Sequence, residues 1–166
     1  MAKKRTPLPK LPPVPKGGDS QKKFDVFSAA KRSKIMSKVR SDRNKSTELK
    51  LIAEFKRRKI IGWRRKVKLF GRPDFVFPKY RIVVFVDGCF WHGHECRNVT
   101  PKDNAEYWRI KRERNQLRDR EATEHLTGLG YLVIRIWECE LKKSNADKLE
   151  AKLKPLLDAS AEKGEK

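Results

Sequence analysis

The chain has 166 residues, of which 42 are Lys or Arg and 21 are Asp or Glu, giving a formal charge of +21 with 37% hydrophobic residues. That length suits one compact domain with a tail, and the apolar content, diluted by polar ends, still leaves a core-forming middle. So large a charge repels itself unless a polyanion is the partner, which points to nucleic acid. A membrane surface fits less well, because no helix sets its cations against a large apolar face.

Residues 1–24, MAKKRTPLPKLPPVPKGGDSQKKF, are rich in Pro, Lys and Gly, with apolar residues too sparse to build a core. They read as a disordered basic arm. Such an arm can hold phosphates without sequence choice, although a solvated linker or targeting tail explains it equally well. The start lacks an apolar leader, and no window approaches the roughly 18 apolar residues of a membrane span. Three cysteines, an odd number, suit a reducing intracellular compartment better than a secreted disulfide framework. The expected location is the cytoplasm, at the nucleoid if the source is bacterial, with no membrane partner.

The folded part is expected over 25–158, followed by a polar tail at 159–166. Ser28 is placed to cap a helix through Arg40, with Ile35, Met36 and Val39 on one side. Ser46 then caps a second helix that carries Leu49, Leu51, Ile52 and Phe55, with Glu48 in its first turn and Lys56 to Lys59 closing it, where cations suit the helix dipole. Partial alternation at Trp63, Val67 and Leu69 predicts a strand over 63–70. After the turn Gly71-Arg72-Pro73, strands at 74–77 and 81–86 form a hairpin whose second strand, RIVVFV, reads as central and covered on both faces.

Asp103 with Glu106 gives a capping-box-like start to a long helix over about 104–127, ended by Gly128 and Gly130. Tyr131 to Trp137 is another apolar strand, with Cys139 at its end. A last helix spans 146–157, with Leu149, Leu153 and Leu156 on one face and Pro155 expected to kink or shorten it. These elements predict an α/β domain with a mixed central sheet flanked by helices, and no internal repeat.

Chemistry concentrates in Gly71 to Cys96, GRPDFVFPKYRIVVFVDGCFWHGHEC. Cys89, His94 and Cys96 follow a C-x4-H-x-C spacing, and Cys139 can complete a Cys3His set suited to a structural zinc ion. Unrelated buried cysteines beside a surface histidine are the alternative. Asp74 and Asp87 flank the Val-rich strand and can hold Mg²⁺, a hard cation that takes one or two carboxylates plus substrate phosphates. His92, close by, can serve as general base on an attacking water, as phosphodiester hydrolysis requires. Taken on its own motif, Asp74 reads first as a turn residue. Phe90 and Trp91 suit either a wedge between base steps or an anchor on the sheet. Lys111, Asn115 and Asp119 recur every four residues as one polar stripe, facing either DNA or solvent.

At GRPDFVF, RIVVFVDGCFWHGHEC, NQLRD and VIRIWEC, in that order, the sequence closely resembles the very-short-patch mismatch repair endonucleases, the Vsr family, over about 28–157. The resemblance implies a restriction-endonuclease-like fold and a Mg²⁺-dependent enzyme that nicks double-stranded DNA beside the T of a T:G mismatch. Carried over to this chain, it makes Asp74 the metal-binding catalytic aspartate, His92 the catalytic histidine oriented by Asp119, and Glu48 a glutamate near the active site. It makes Cys89, His94, Cys96 and Cys139 the zinc ligands. Phe90, Trp91 and Met36 become intercalating side chains, while Lys111 and Asn115 become contacts to the mismatched bases.

One departure stands out. Val86-Asp87 replaces the family's Thr-His, so a carboxylate stands where a histidine is usual, and the metal is expected on Asp74, Asp87 and the Val86 backbone carbonyl. A monomer is expected, with coupling to other repair proteins left open. A same-fold restriction-type nuclease acting without a mismatch, or a DNA-binding module without catalysis, are the rival readings; retention of Asp74 and Asp87 weighs against the second.

Overall fold

The computed structural model describes residues 47–96 and 105–161. The basic arm, the helix expected from Ser28 with Met36, the caps at Ser46 and Asp103, and the end of the tail lie outside them.

Helix α1 (Glu48–Arg57) buries Leu51 and Phe55, one turn apart, and carries Glu48 in its first turn with Lys56 and Arg57 in its last. Its N-cap position is Thr47, whose side chain makes no capping bond. Lys59, in a left-handed conformation with φ 55°, ends the helix and turns the buried Ile60 back so that its N–H reaches the Phe55 carbonyl.

Strand β1 (Phe75–Phe77) and strand β2 (Ile82–Asp87) form the expected antiparallel hairpin, with Phe75 opposite Val84. Helix α2 (Ala105–Gly128) then crosses to strand β3 (Leu132–Trp137), which runs parallel to β2 with Phe85 opposite Arg135 and Asp87 opposite Trp137. The sheet order is β1-β2-β3, so β2 is central and the sheet is mixed. Helix α3 (Ala146–Ala161) follows a short 3-10 turn at Glu138–Leu141.

The period-two geometry of β2 sorts its side chains into two layers. Ile82 and Val84 pack with Leu51, Phe55, Ile134 and Leu153 beneath α1 and α3. Val83 and Phe85 pack with Ala122 and Leu126 of α2 on the opposite face. Phe55 is fully buried and meets Phe75 and Phe77 edge-on at 5.2 and 5.6 Å. It ties helix to sheet, and truncating such a ring to Ala costs about 3–5 kcal/mol.

Three expectations change. Residues 63–70 form no strand, and Arg64 makes only an isolated bridge to Val76. Lys66, inside the segment, is left-handed and breaks the extension, while Trp63 joins the α1 side of the core and Val67 and Leu69 the α2 side. The alternation recorded burial without a ladder. Pro155 does not shorten the last helix, which continues to Ala161 and takes in the start of the expected tail. Leu149, Leu153 and Leu156 are all buried and hold it on both sides of the proline. Cys139 lies in the 3-10 turn after β3 rather than at the strand end.

Candidate active site

The segment after β2 is wound tightly. Trp91 and His92 both donate backbone N–H groups to the Gly88 carbonyl, and His94 donates to the Cys89 carbonyl at 2.9 Å. This brings Cys89, His94 and Cys96 to Cys139 across the end of the sheet, with donor atoms all within 4.8 Å of one another. Cys139 Sγ lies 3.5 Å from His94 Nδ1, and the His94 ring stacks flat on Trp137 at 4.3 Å. Glu140 fixes the turn bearing Cys139 by accepting the Trp137 N–H and the Lys152 ammonium, each at 2.8 Å. Burial, with the other thiols close by, pushes the Cys89 thiol up to about 12. Three thiols and one imidazole, with Cys89 buried and Cys96 exposed, gathered within 4.8 Å of one another, fit a soft cation that displaces the thiol protons.

Helix α2 grips the same loop from its polar side. Arg112 Nε donates to the Phe90 carbonyl at 2.9 Å, Asn115 Nδ2 to the Trp91 carbonyl at 2.8 Å, and Gln116 Nε2 to the His92 carbonyl at 2.9 Å. Successive carbonyls are thus held from one helix face. The Lys111 ammonium lies over Trp91, Tyr107 and Trp108 at 5.4 to 5.6 Å. Phe90 meets Trp91 at 5.2 Å and Trp108 at 4.9 Å, both edge-on. Phe90 and Trp91 belong to neither core layer and remain part-exposed.

His92 sits between two carboxylates. Its Nδ1 is 2.5 Å from Asp119 Oδ2, and its Nε2 is 3.9 Å from Asp87 Oδ1. Burial acts to lower the His92 pKa, but the Asp119 hydrogen bond and the charges of both carboxylates outweigh it, and the net shift is upward. Asp87, only 6% exposed, is pushed up by burial and partly restored by Arg135, whose Nη1 reaches Asp87 Oδ2 at 2.6 Å.

Asp74 stands just before β1 and therefore at the same end of the hairpin as Asp87. Its Oδ2 accepts the Val86 N–H at 2.7 Å. Burial raises it to about 6, with the Asp87 charge acting in the same direction. Asp74 lines a cavity of about 410 Å³ together with Glu48, Arg65, Lys68 and Arg72. Glu48 is buried and paired with Arg65. Asp87, His92, Asn115 and Asp119 line another cavity, of about 390 Å³. The two acidic positions expected to share a metal are neighbours, but Asp87 is turned to Arg135 and His92.

Residues 24–98 match the family model described as DNA mismatch endonuclease Vsr. The type II nicking enzyme V.NmeAIP of Neisseria meningitidis is 39% identical over 120 residues, covering 71% of this chain and 84% of that protein. The chain belongs to the Vsr family. The type II nicking enzyme V.XorIIP of Xanthomonas oryzae is 39% identical over 140 residues, 82% of this chain and 98% of its own length. The DNA mismatch endonuclease Vsr of Escherichia coli is 37% identical over 119 residues, 71% of this chain and 76% of that protein.

Against the Vsr pattern, the fold gathers Asp74, Asp87, His92, Asp119 and the Cys-His cluster at one end of the sheet, with Phe90, Trp91, Lys111 and Asn115 beside them. Met36 lies outside the described residues. Sequence reasoning missed Trp108, which completes the aromatic cluster and whose i,i+3 spacing to Lys111 was the available signal. It also missed Arg112, Gln116 and Arg135. No described helix is long and apolar enough to cross a membrane.

Proposed function

We propose that this nicking endonuclease cuts one strand of double-stranded DNA beside the T of a T:G mismatch, with Mg²⁺ as its catalytic ion. The observation that carries the reading is the His92–Asp119 contact of 2.5 Å, set at the end of the sheet near Asp74 and next to a part-exposed aromatic pair. A histidine held at Nδ1 by a carboxylate presents Nε2 as a base in a fixed orientation. His92 Nε2 takes a proton from the attacking water, and Asp119 stabilises the imidazolium that results. Glu48 fixes Arg65 at the rim of the Asp74 cavity, where Lys68 and Arg72 add charge for the phosphate backbone.

Asp74, Asp87 and the Val86 carbonyl would hold Mg²⁺. Asp74 fits such an ion by chemistry, since among the described residues only its Oδ2 is hydrogen-bonded, to Val86. When bound, the ion polarises the scissile phosphate and stabilises charge on the leaving oxygen. Cys89, His94, Cys96 and Cys139 would hold a structural Zn²⁺ that orders the loop. Phe90 and Trp91, with Met36, form the wedge that enters the stack at the mismatch, and Lys111 and Asn115 stand on the helix behind it. The helix-flanked mixed sheet is read as a restriction-endonuclease-like fold, acting as an intracellular monomer with duplex DNA as its partner; coupling to further repair proteins belongs to the same reading.

A strand-resolved cleavage assay with Mg²⁺ on one duplex carrying T:G, beside its T:A and C:G counterparts, tests this. A nick confined to the T strand of the T:G duplex is expected. Equal cutting of all three would favour a restriction-type nuclease, and binding without cutting an inactive module.

A further inference from the structure

Arg135 is the side chain of the site that neither the motifs nor the family pattern explains. It projects from β3 next to Phe85, with its guanidinium over that ring at 4.5 Å. Its Nε donates to Thr123 Oγ1 at 3.2 Å and its Nη2 to the Asp119 carbonyl at 3.1 Å. Its Nη1 reaches Asp87 Oδ2 at 2.6 Å and Asp119 Oδ1 at 3.2 Å. Every guanidinium nitrogen is therefore engaged, and one nitrogen bridges the two carboxylates that flank His92.

Asp87, His92 and Asp119 each offer one donor atom within 4.8 Å of the others, a spacing suited to a divalent cation. The guanidinium occupies the positive position between them. We infer that Arg135 is a positioning residue that serves as a fixed, covalently tethered cation for this cluster, where a second divalent ion would otherwise settle. It follows from the replacement of the family's histidine by Asp87. Two carboxylates on either side of one imidazole repel each other and the incoming phosphate, and a planar fork is the side chain able to bind both at once. The single mobile cation is then left to the Asp74 side of the hairpin.

The inference rests on the nicking reading for its consequence, but its decisive measurement does not. Mn²⁺ binding to the full-length, zinc-loaded protein without DNA is compared for wild type, Arg135→Gln and Arg135→Gln/Asp119→Asn. The expected result is one additional Mn²⁺ per chain in Arg135→Gln, lost again in the double variant. Equal stoichiometry in wild type and Arg135→Gln overturns the inference. Arg135→Ser gives the same comparison if the Gln variant does not fold.

Single-turnover nicking supplies the second readout. Arg135→Gln is expected to lose about tenfold or more in rate while its duplex Kd stays within about twofold, and Arg135→Lys, which restores the charge, is expected to recover part of the rate. A parallel fall in rate, affinity and melting temperature, without recovery in Arg135→Lys, would make Arg135 merely structural and overturn the proposal. A wild type that nicks no duplex removes the functional reading and leaves the Mn²⁺ comparison to decide.

Discussion

Asn115 Nδ2 donates to the Trp91 carbonyl at 2.8 Å, so the residue proposed to contact the mismatched bases also clamps the loop that bears the candidate wedge. Arg112 and Gln116 hold the carbonyls on either side. Asn115→Ala is expected to destabilise the protein by about 1 kcal/mol, the net worth of such a bond. It should also lower the preference for mismatched over matched duplex. Thermal melting and competitive binding measure the two effects, and a change in melting alone would confine Asn115 to the clamp.

Trp91→Ala probes the wedge itself. With its ring outside both core layers, the substitution should leave the melting temperature nearly unchanged while reducing mismatch preference by about tenfold, the equivalent of roughly 1.4 kcal/mol of stacking. A large loss of stability with an unaltered preference ratio would make the ring an anchor.

His92 and Asp119 should behave as one unit. His92→Gln and Asp119→Asn are each expected to cut the single-turnover rate by about a hundredfold or more, and the double variant should be little slower than His92→Gln. Additive losses in the double variant would separate the two roles.

Asp74 carries a measurable cost. Burial raises its carboxyl to about 6 from an ordinary 3.8, so folding favours the protonated acid. Its contribution to stability is complete below about pH 4 and is lost as the pH rises through about 6, a swing on the order of 2 to 3 kcal/mol. Asp74→Asn should therefore be more stable than wild type at neutral pH in chelator-treated buffer, with the difference closing toward pH 4. Urea titrations across that range measure it, and a difference independent of pH would detach it from Asp74 ionisation. The same variant should lose nicking.

Elemental analysis should find one zinc per chain, and strong chelation should melt the loop. Cys139→Ala is expected to release the ion, because it removes the one ligand supplied from beyond β3. Full zinc occupancy in that variant would exclude Cys139 from the set.

Much of this was legible in the chain. The unbroken apolar run at 82–86 announced a strand covered on both faces, and the Cys and His spacing announced a cluster, because both signals are local or nearly so. The strand expected at 63–70 failed because alternating side chains report which side is buried and say nothing of backbone pairing; the left-handed Lys66 interrupts the extended backbone there. Arg135 was invisible for a different reason. Its position opposite Phe85, and hence its reach to Asp87, is set by the parallel register of two strands separated by a whole helix, which no local pattern encodes.

That separation shapes how the enzyme comes into being. His92 receives its partner from residue 119, Asp87 from residue 135, and the Cys-His cluster its last ligand from residue 139. A polypeptide truncated before β3 keeps Asp119 for His92 but lacks Arg135 against Asp87 and Cys139 beside the other thiols. The cluster at the end of the sheet is therefore complete only when the final strand lies along β2.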